Sequence, residues 1–298
     1  MGKIASRAAT LDTPPATSCS RVLAALPAVR ILDTVCTLGP DGKGTENSFP
    51  AFRVAAVIGG SFAIRTGIGD GIAATGSLVI GNACECYRCR HFTEDGDRCI
   101  YFDFQPEFLE DVRLALGMKG IGERFRRGLL PPSLRSVAIT AVVESAAAGH
   151  SLDALQEAAF EMAAAGLAAT HSTTQLGRRT SFEDERRIAR AARYIEANFH
   201  RPCTLGELAD DAGLSVYHFL RVFRRVTGQT PHRHVLATRL RRAARRLLST
   251  SDRVIDIVAD TGFGDVSNFN AQFLRAFGVN PGSFRARHGG AMLRRKRT

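Results

Sequence analysis

No stretch of this chain approaches the roughly eighteen apolar residues that a membrane-spanning helix needs. The longest uncharged apolar run, Val54 to Ile64, is short and broken by Gly59 and Gly60. A helical membrane protein is excluded on that ground, and a soluble one is expected. The first twenty residues hold no continuous hydrophobic segment of the kind used for export, and their Thr, Ser, Pro and Ala content predicts a disordered lead-in. Met1 to Ser6 meets the loose myristoylation pattern, as so short a motif often does by chance. With no export signal, the seven cysteines, an odd number, are expected as thiols in a reducing cytoplasm. Histidine is also scarce: before residue 180 there are only His91, His150 and His171, with no His-x-His pair. That is too few for a catalytic metal centre built on several imidazoles, so no enzyme is expected.

What the chain does contain is charge of one sign, gathered at one end. From Ser181 onward there are 22 Lys and Arg against 11 Asp and Glu, whereas before it the two signs cancel, so the net charge of +11 sits in the last 118 residues. A surplus that is mostly arginine suits a phosphate backbone, and binding through it would weaken as salt rises.

The same region contains one unit twice, about fifty residues apart. Thr204-Leu-Gly-Glu-Leu-Ala-Asp-Asp-Ala-Gly-Leu aligns with Arg253-Val-Ile-Asp-Ile-Val-Ala-Asp-Thr-Gly-Phe, which places Gly213 on Gly262, Gly228 on Gly278 and Pro231 on Pro281. Each copy reads as a helix, a glycine turn and a second helix free to enter a major groove. Ile188, Ala192, Ile195 and Phe199 predict an amphipathic helix ahead of the first copy. Thr204 and Glu207 have the spacing of a capping box, and Ser215 is placed to cap the second helix. Phe219, Val222, Phe223 and Val226 form that helix's buried stripe. Its opposite face carries Tyr217, Leu220, Arg221, Arg224 and Arg225. The early exposed positions, Tyr217, Leu220 and Arg221, are assigned to base edges, and the later arginines to phosphates. Arg221 could grip guanine through two parallel hydrogen bonds; a phosphate contact or simple solvation is the alternative.

A helix from Pro231 to Leu248 is expected to join the copies, with Leu236, Leu240, Ala243 and Leu247 inward. Its Arg239, Arg242 and Arg246 would line phosphates or remain solvated. In the second copy Ala271 and Leu274 stand where Arg221 and Arg224 stand in the first, and Arg253 replaces the capping threonine, with Asp252 as a possible substitute. The first copy is therefore expected to supply most of the readout, with Ser267, Asn268, Asn270 and Arg275 as the second copy's contacts.

From about Glu183 to Arg287 the sequence resembles the AraC/XylS family of bacterial transcription regulators, most densely in Gly262 to Arg285, with its spaced phenylalanines, Phe277-Gly278, Pro281 and Phe284-Arg285. The resemblance implies two helix-turn-helix modules whose second helices enter successive major grooves on one face of double-stranded DNA. It also implies a cupin-like barrel that binds an effector, followed by helices for dimerisation, and contact with RNA polymerase if the protein is an activator.

Ahead of that region the pattern is weaker. Short apolar runs at Val54 to Ile58, Phe62 to Ile64, Ser77 to Ile80 and Ile100 to Phe104 predict a small β-barrel or sandwich. After Pro106 the pattern turns helical, through Phe108, Val112 and Ala115, and the alanine-rich run from Leu134 to Ala169 continues it with a break at Gly149. Such apolar helices need a partner: a second chain, as in a homodimer, or the barrel itself. The expected class is α+β: a lead-in over 1–20, a cupin-like sensory and dimerisation domain over 21–175, a linker at 177–180, a DNA-binding domain over 181–290 and a basic tail over 291–298.

Cys84, Cys86, Cys89, His91 and Cys99 crowd into sixteen positions. Cys86, Cys89, His91 and Cys99 could form a zinc site, Cys86 and Cys89 a thiol redox switch, or all could be structural thiols. Strand alternation argues against all five converging. The leading functional expectation is a DNA-binding transcription regulator that answers to an unidentified effector. The alternative is a methyl-acceptor DNA-repair protein with a reactive cysteine, although its two separated cysteine pairs are not matched here. An architectural DNA-binding protein without site preference is a third class.

Overall fold

The computed structural model describes residues 18–40, 44–92, 96–118, 124–149, 151–169 and 180–288. Among these described residues, ten strands and ten helices follow in order. The strands are β1 (Ser18–Leu26), β2 (Val29–Cys36), β3 (Thr45–Ser48), β4 (Phe52–Gly59), β5 (Ser61–Thr66), β6 (Gly69–Ala74), β7 (Leu78–Gly81), β8 (Cys86–His91), β9 (Asp97–Phe104) and β10 (Leu129–Leu130). Helices α1 (Pro106–Ala115), α2 (Leu134–Gly149) and α3 (Leu152–Ala168) complete the first half. The second half is helical throughout: α4 (Phe182–Asn198), α5 (Leu205–Ala212), α6 (Val216–Thr227), α7 (Pro231–Ser249), α8 (Val254–Asp260), α9 (Val266–Phe277) and α10 (Pro281–His288).

The strands make two antiparallel sheets, ordered β1-β2-β9-β4-β7-β10 and β3-β8-β5-β6. No ladder joins them among the described residues, so the arrangement is a sandwich and the closed barrel is not formed. Alternation in β4 shows how the layers are built. Val54, Ala56 and Ile58 share one core with Leu109 of α1 and with Leu155 and Met162 of α3, while Ala55 and Val57 share another with Phe62 and Ile64 of β5 and Ala73 of β6. The large sheet is thus buried on both faces, against helices and against the small sheet. β1 opens at Ser18, so residues 18–20 belong to a strand; the rest of the expected lead-in, most of the linker and the basic tail lie outside the described residues.

The break at Gly149 is where expected, and Ser151 caps α3 by accepting from the Ala154 amide. The alanine-rich helices find their partners within the chain. Ile139, Val143, Ala146 and Ala147 of α2 face α3 and the large sheet, while Ala141 packs with Leu240, Ala243 and Ala244 of α7. An ion pair between Arg245 and Glu144 at 3.6 Å flanks that second contact. Packed on one side by α3 and the large sheet and on another by α7, α2 has most of its apolar residues covered within the chain. The outer face of the small sheet is covered in turn: Ala63, Ile72 and Phe92 share a core with Ile188 of α4 and Phe219 and Phe223 of α6. No described helix is long and apolar enough to cross a membrane.

Candidate nucleic-acid interface

The first module is set by local chemistry. Thr204 Oγ1 accepts from the Glu207 amide at 3.2 Å, and the Glu207 carboxylate accepts from the Thr204 amide at 2.9 Å, which starts α5 with the expected capping box. Gly213 ends it in the left-handed region, at φ 65° and ψ 39°. Ser215 caps α6 through the His218 amide. Phe219, Val222, Phe223 and Val226 are buried as the stripe predicts. On the other side Tyr217 is 80% exposed, and Arg221 and Arg224 are exposed with no ion pair to a described residue. Leu220 is half-buried between them. Arg225 is engaged elsewhere: its guanidinium pairs with Asp184 at 2.7 Å and ties α6 to α4.

The second module repeats the geometry with different caps. Arg253 begins α8 without a side-chain cap, and its guanidinium instead grips Asp256 at 2.9 and 3.0 Å. Asp252 does not substitute as cap, because it pairs with Arg246 at 2.5 Å. Gly262 makes the turn at φ 79°, and a Cβ there would lie 2.7–2.8 Å from the carbonyl oxygens of His200 and Phe199. It is therefore required both for its dihedral and for the close approach of α4's end. Asp265, a cap the sequence reading missed, accepts from the amides of Ser267 and Asn268 at 2.7 and 2.9 Å. Phe269 and Phe273 are buried, while Ser267, Asn268, Asn270, Ala271, Leu274 and Arg275 are exposed.

Arg239, Arg242 and Arg246 of the joining helix α7 are each engaged within the chain and not held free for phosphate. Arg239 donates to the carbonyls of Phe199 and Arg201 at 2.8 and 3.0 Å. Arg241 and Arg242 converge on Glu196 at 2.6 and 3.1 Å. Burial alone would raise the Glu196 pKa, but the two guanidinium groups outweigh it and hold the carboxyl below its ordinary range. Arg246 bridges Asp252 and Asp260, the latter at the end of α8. These contacts fasten the middle of α7 to α4 and its C-terminal part to the second module. At about 1.5 Å per residue, the 19 residues of α7 span about 28 Å, close to one turn of DNA.

The sequence of this region has known relatives. A helix-turn-helix domain model matches residues 208–287. An HTH-type transcriptional regulator of Mycobacterium tuberculosis is 40% identical over 81 residues, 27% of this chain and 31% of that protein. Transcriptional activator NphR of a Rhodococcus species is 36% identical over 102 residues, 34% of this chain and 30% of its own length. Transposon Tn10 TetD protein of Escherichia coli is 32% identical over 92 residues, which make up 31% of this chain and 67% of TetD. The chain belongs to the AraC/XylS family. Its match spans less than a third of the first two relatives' lengths. Among solved structures, an AraC-type regulator from Chromobacterium violaceum is 27% identical, covering 34% of this chain and 91% of its own, with a TM-score of 0.33. Apo ToxT from Vibrio cholerae covers 87% of this chain and 97% of its own at 11% identity and a TM-score of 0.34.

The AraC-type domain thus brings Tyr217, Arg221, Arg224, Ser267, Asn268, Asn270 and Arg275 to solvent on the second helices of its two modules. The cysteine cluster of the other half is not gathered as expected. Cys86 is exposed on the outer face of β8, whereas Cys89 and His91 point inward and Cys99 is buried on β9. Alternation along the strand is the reason: Cys86 and Cys89 are an odd number of residues apart and fall on opposite faces. Cys84 is exposed in the preceding turn, at φ 62°.

Proposed function

We propose that this protein is a sequence-specific regulator of transcription that reads two successive major grooves of double-stranded DNA with α6 and α9. The observation that carries this reading is the duplicated unit with matched second helices. In each, a phenylalanine stripe is buried and a polar or cationic face is left open, with Arg221, Arg224 and Arg275 unpaired among the described residues. The matching relatives are named as transcriptional regulators and activators, which supports regulation over methyl transfer from damaged DNA. The sandwich is assigned the sensory role, in place of the cupin-like domain the resemblance implies, and RNA polymerase is the further partner if the protein activates. Homodimerisation, if it occurs, must use surfaces other than the in-chain contacts of α2 and α3.

Within the interface the first module leads. Arg221 carries five donors in a fork that matches the O6 and N7 acceptors of guanine, whereas Ala271 at the equivalent place has none. Replacing Arg221 with alanine is expected to cost about 1–3 kcal/mol at one base pair and to relax discrimination there. Asn268→Ala should cost less. Fluorescence anisotropy against a selected site and its single-base variants measures both, and equal losses of discrimination would remove the asymmetry.

A further inference from the structure

The interior of the sandwich holds a group of donor atoms that DNA binding does not use. Cys36 ends β2, His91 ends β8 and Asp97 begins β9, and the β2–β9 ladder sets Cys36 directly opposite Asp97. Cys36 Sγ lies 3.7 Å from His91 Nε2, and His91 Nδ1 lies 3.0 Å from Asp97 Oδ1. One donor atom from each of the three residues falls within 4.8 Å of the other two. Cys99, one inward position further along β9, brings its thiol to 3.7 Å from Asp97 Oδ2. His91, Asp97 and Cys99 are 5%, 7% and 1% exposed, while Cys36 is only partly covered and leaves a way in.

Two features distinguish this cluster from thiols that merely fill a core. Asp97 Oδ1 and His91 Nδ1 form a buried pair 3.0 Å apart, both side chains closed off from solvent. The backbone is also closed tightly around the group. A Cβ on Gly96 would lie 2.1 Å from the Cys36 carbonyl oxygen, and one on Gly60 would lie 2.8 Å from Asp97 Cα. The donors are therefore held in place by glycines that admit no side chain.

The chemistry of the set is that of a borderline-soft divalent ion. Bonds of about 2.3 Å to sulfur and about 2.0–2.1 Å to nitrogen at a tetrahedral angle put the two donors about 3.6 Å apart, which is close to the separation of Cys36 and His91. Thiolate, imidazole and carboxylate together suit zinc, whereas magnesium and calcium call for oxygen alone.

We propose that Cys36, His91 and Asp97 form a binding site for a zinc-class divalent metal ion, and that β8 reports its occupancy to the DNA-binding half. The second clause rests on the sensory role given to the sandwich above. Its physical basis is strand alternation. His91 faces the donors, while its neighbours Arg90 and Phe92 face α4, where Arg90 lies 4.8 Å over the Phe182 ring and Phe92 stacks on it at 6.2 Å. On β5, the strand beside β8, Arg65 pairs with Glu185 of α4 at 3.3 Å. A shift of β8 on metal binding is thereby passed to the first helix of the DNA-binding half.

The test uses the full chain, stripped of metal by a chelator under reducing conditions and titrated with zinc in competition with a chromophoric chelator. Uptake of about one zinc per chain is expected, with Cys36 protected from alkylation. Cys36→Ser and Asp97→Asn should each weaken binding by roughly a hundredfold, while Cys86→Ser, on the outer face, should change nothing. No uptake, no protection of Cys36, or loss in Cys86→Ser but not in Cys36→Ser would overturn the site. Thiol protection in the unmodified protein decides the matter even if a variant fails to fold. Separately, zinc should shift affinity for a DNA site about fivefold or more. Bound zinc with unchanged DNA affinity would overturn the coupling alone, and a chain that takes zinc but binds no DNA would overturn the regulatory reading and leave the site standing.

Discussion

At the scale of single residues, the DNA-binding half depends on polar groups placed where burial decides their state. His234 on α7 is 1% exposed, and its Nδ1 faces the Gln229 side-chain amide at 3.0 Å while Nε2 has no partner among the described residues. Burial pushes its pKa from the ordinary 6.5 down to about 4; Glu196 works against the shift and Arg241 with it. An unfolded chain takes up this proton first as the pH falls. Stability is therefore complete above about pH 6.5 and declines between about 6.5 and 4, by up to about 3 kcal/mol. Glu196, held below its ordinary range, loses its own contribution only at still lower pH. Urea unfolding of the wild type and His234→Gln across that window measures the effect, and the variant should show the flatter profile. Identical pH dependence would assign the acid sensitivity to other groups.

At the scale of elements, much of the second half was legible because its signals are local. The Thr204 and Glu207 capping box, the Gly213 and Gly262 turns and the proline-started α7 each depend on residues a few positions apart. The arginines of α7 were not legible, since their partners Glu196 and Asp260 lie on other helices. Arg225 misled for the same reason: Asp184 is 41 positions away. In the first half β1 and β2 went unread because their two-residue turn, Pro27-Ala28, lacks the glycine or asparagine that marks a tight hairpin. Strand β3, with the sequence Thr-Glu-Asn-Ser, shows no apolar alternation at all. Cys36 was missed as a neighbour of His91 because only the pairing of β2 with β9 brings it there. The uncapped start of α8 gives this scale its prediction. Arg253→Thr restores the acceptor present in the first module and should stabilise the protein by about 0.5–1 kcal/mol. The exposed Arg253–Asp256 pair lost in exchange contributes little. A rise in the thermal midpoint would bear this out, and a fall would show that the pair outweighs a cap.

At the scale of the whole molecule, the chain is a stack in which each layer touches the next. Helices α1 to α3 cover the large sheet, the small sheet covers its other face, and the DNA-binding half lies against both the small sheet and α2. The modules are held apart by α7, whose Arg239, Arg241 and Arg242 fasten its middle to α4 and its neighbouring loop and whose Arg246 fastens it to the second module, so their spacing is fixed before DNA is met. That fixed spacing is the central claim, and a hydroxyl-radical footprint of the full chain on a selected site tests it most directly. Two protected stretches on one face of the duplex, about one helical turn apart, are the predicted result, with the stretch under α6 weakened by Arg221→Ala. A single protected stretch, or protection that follows no preferred sequence, would contradict it.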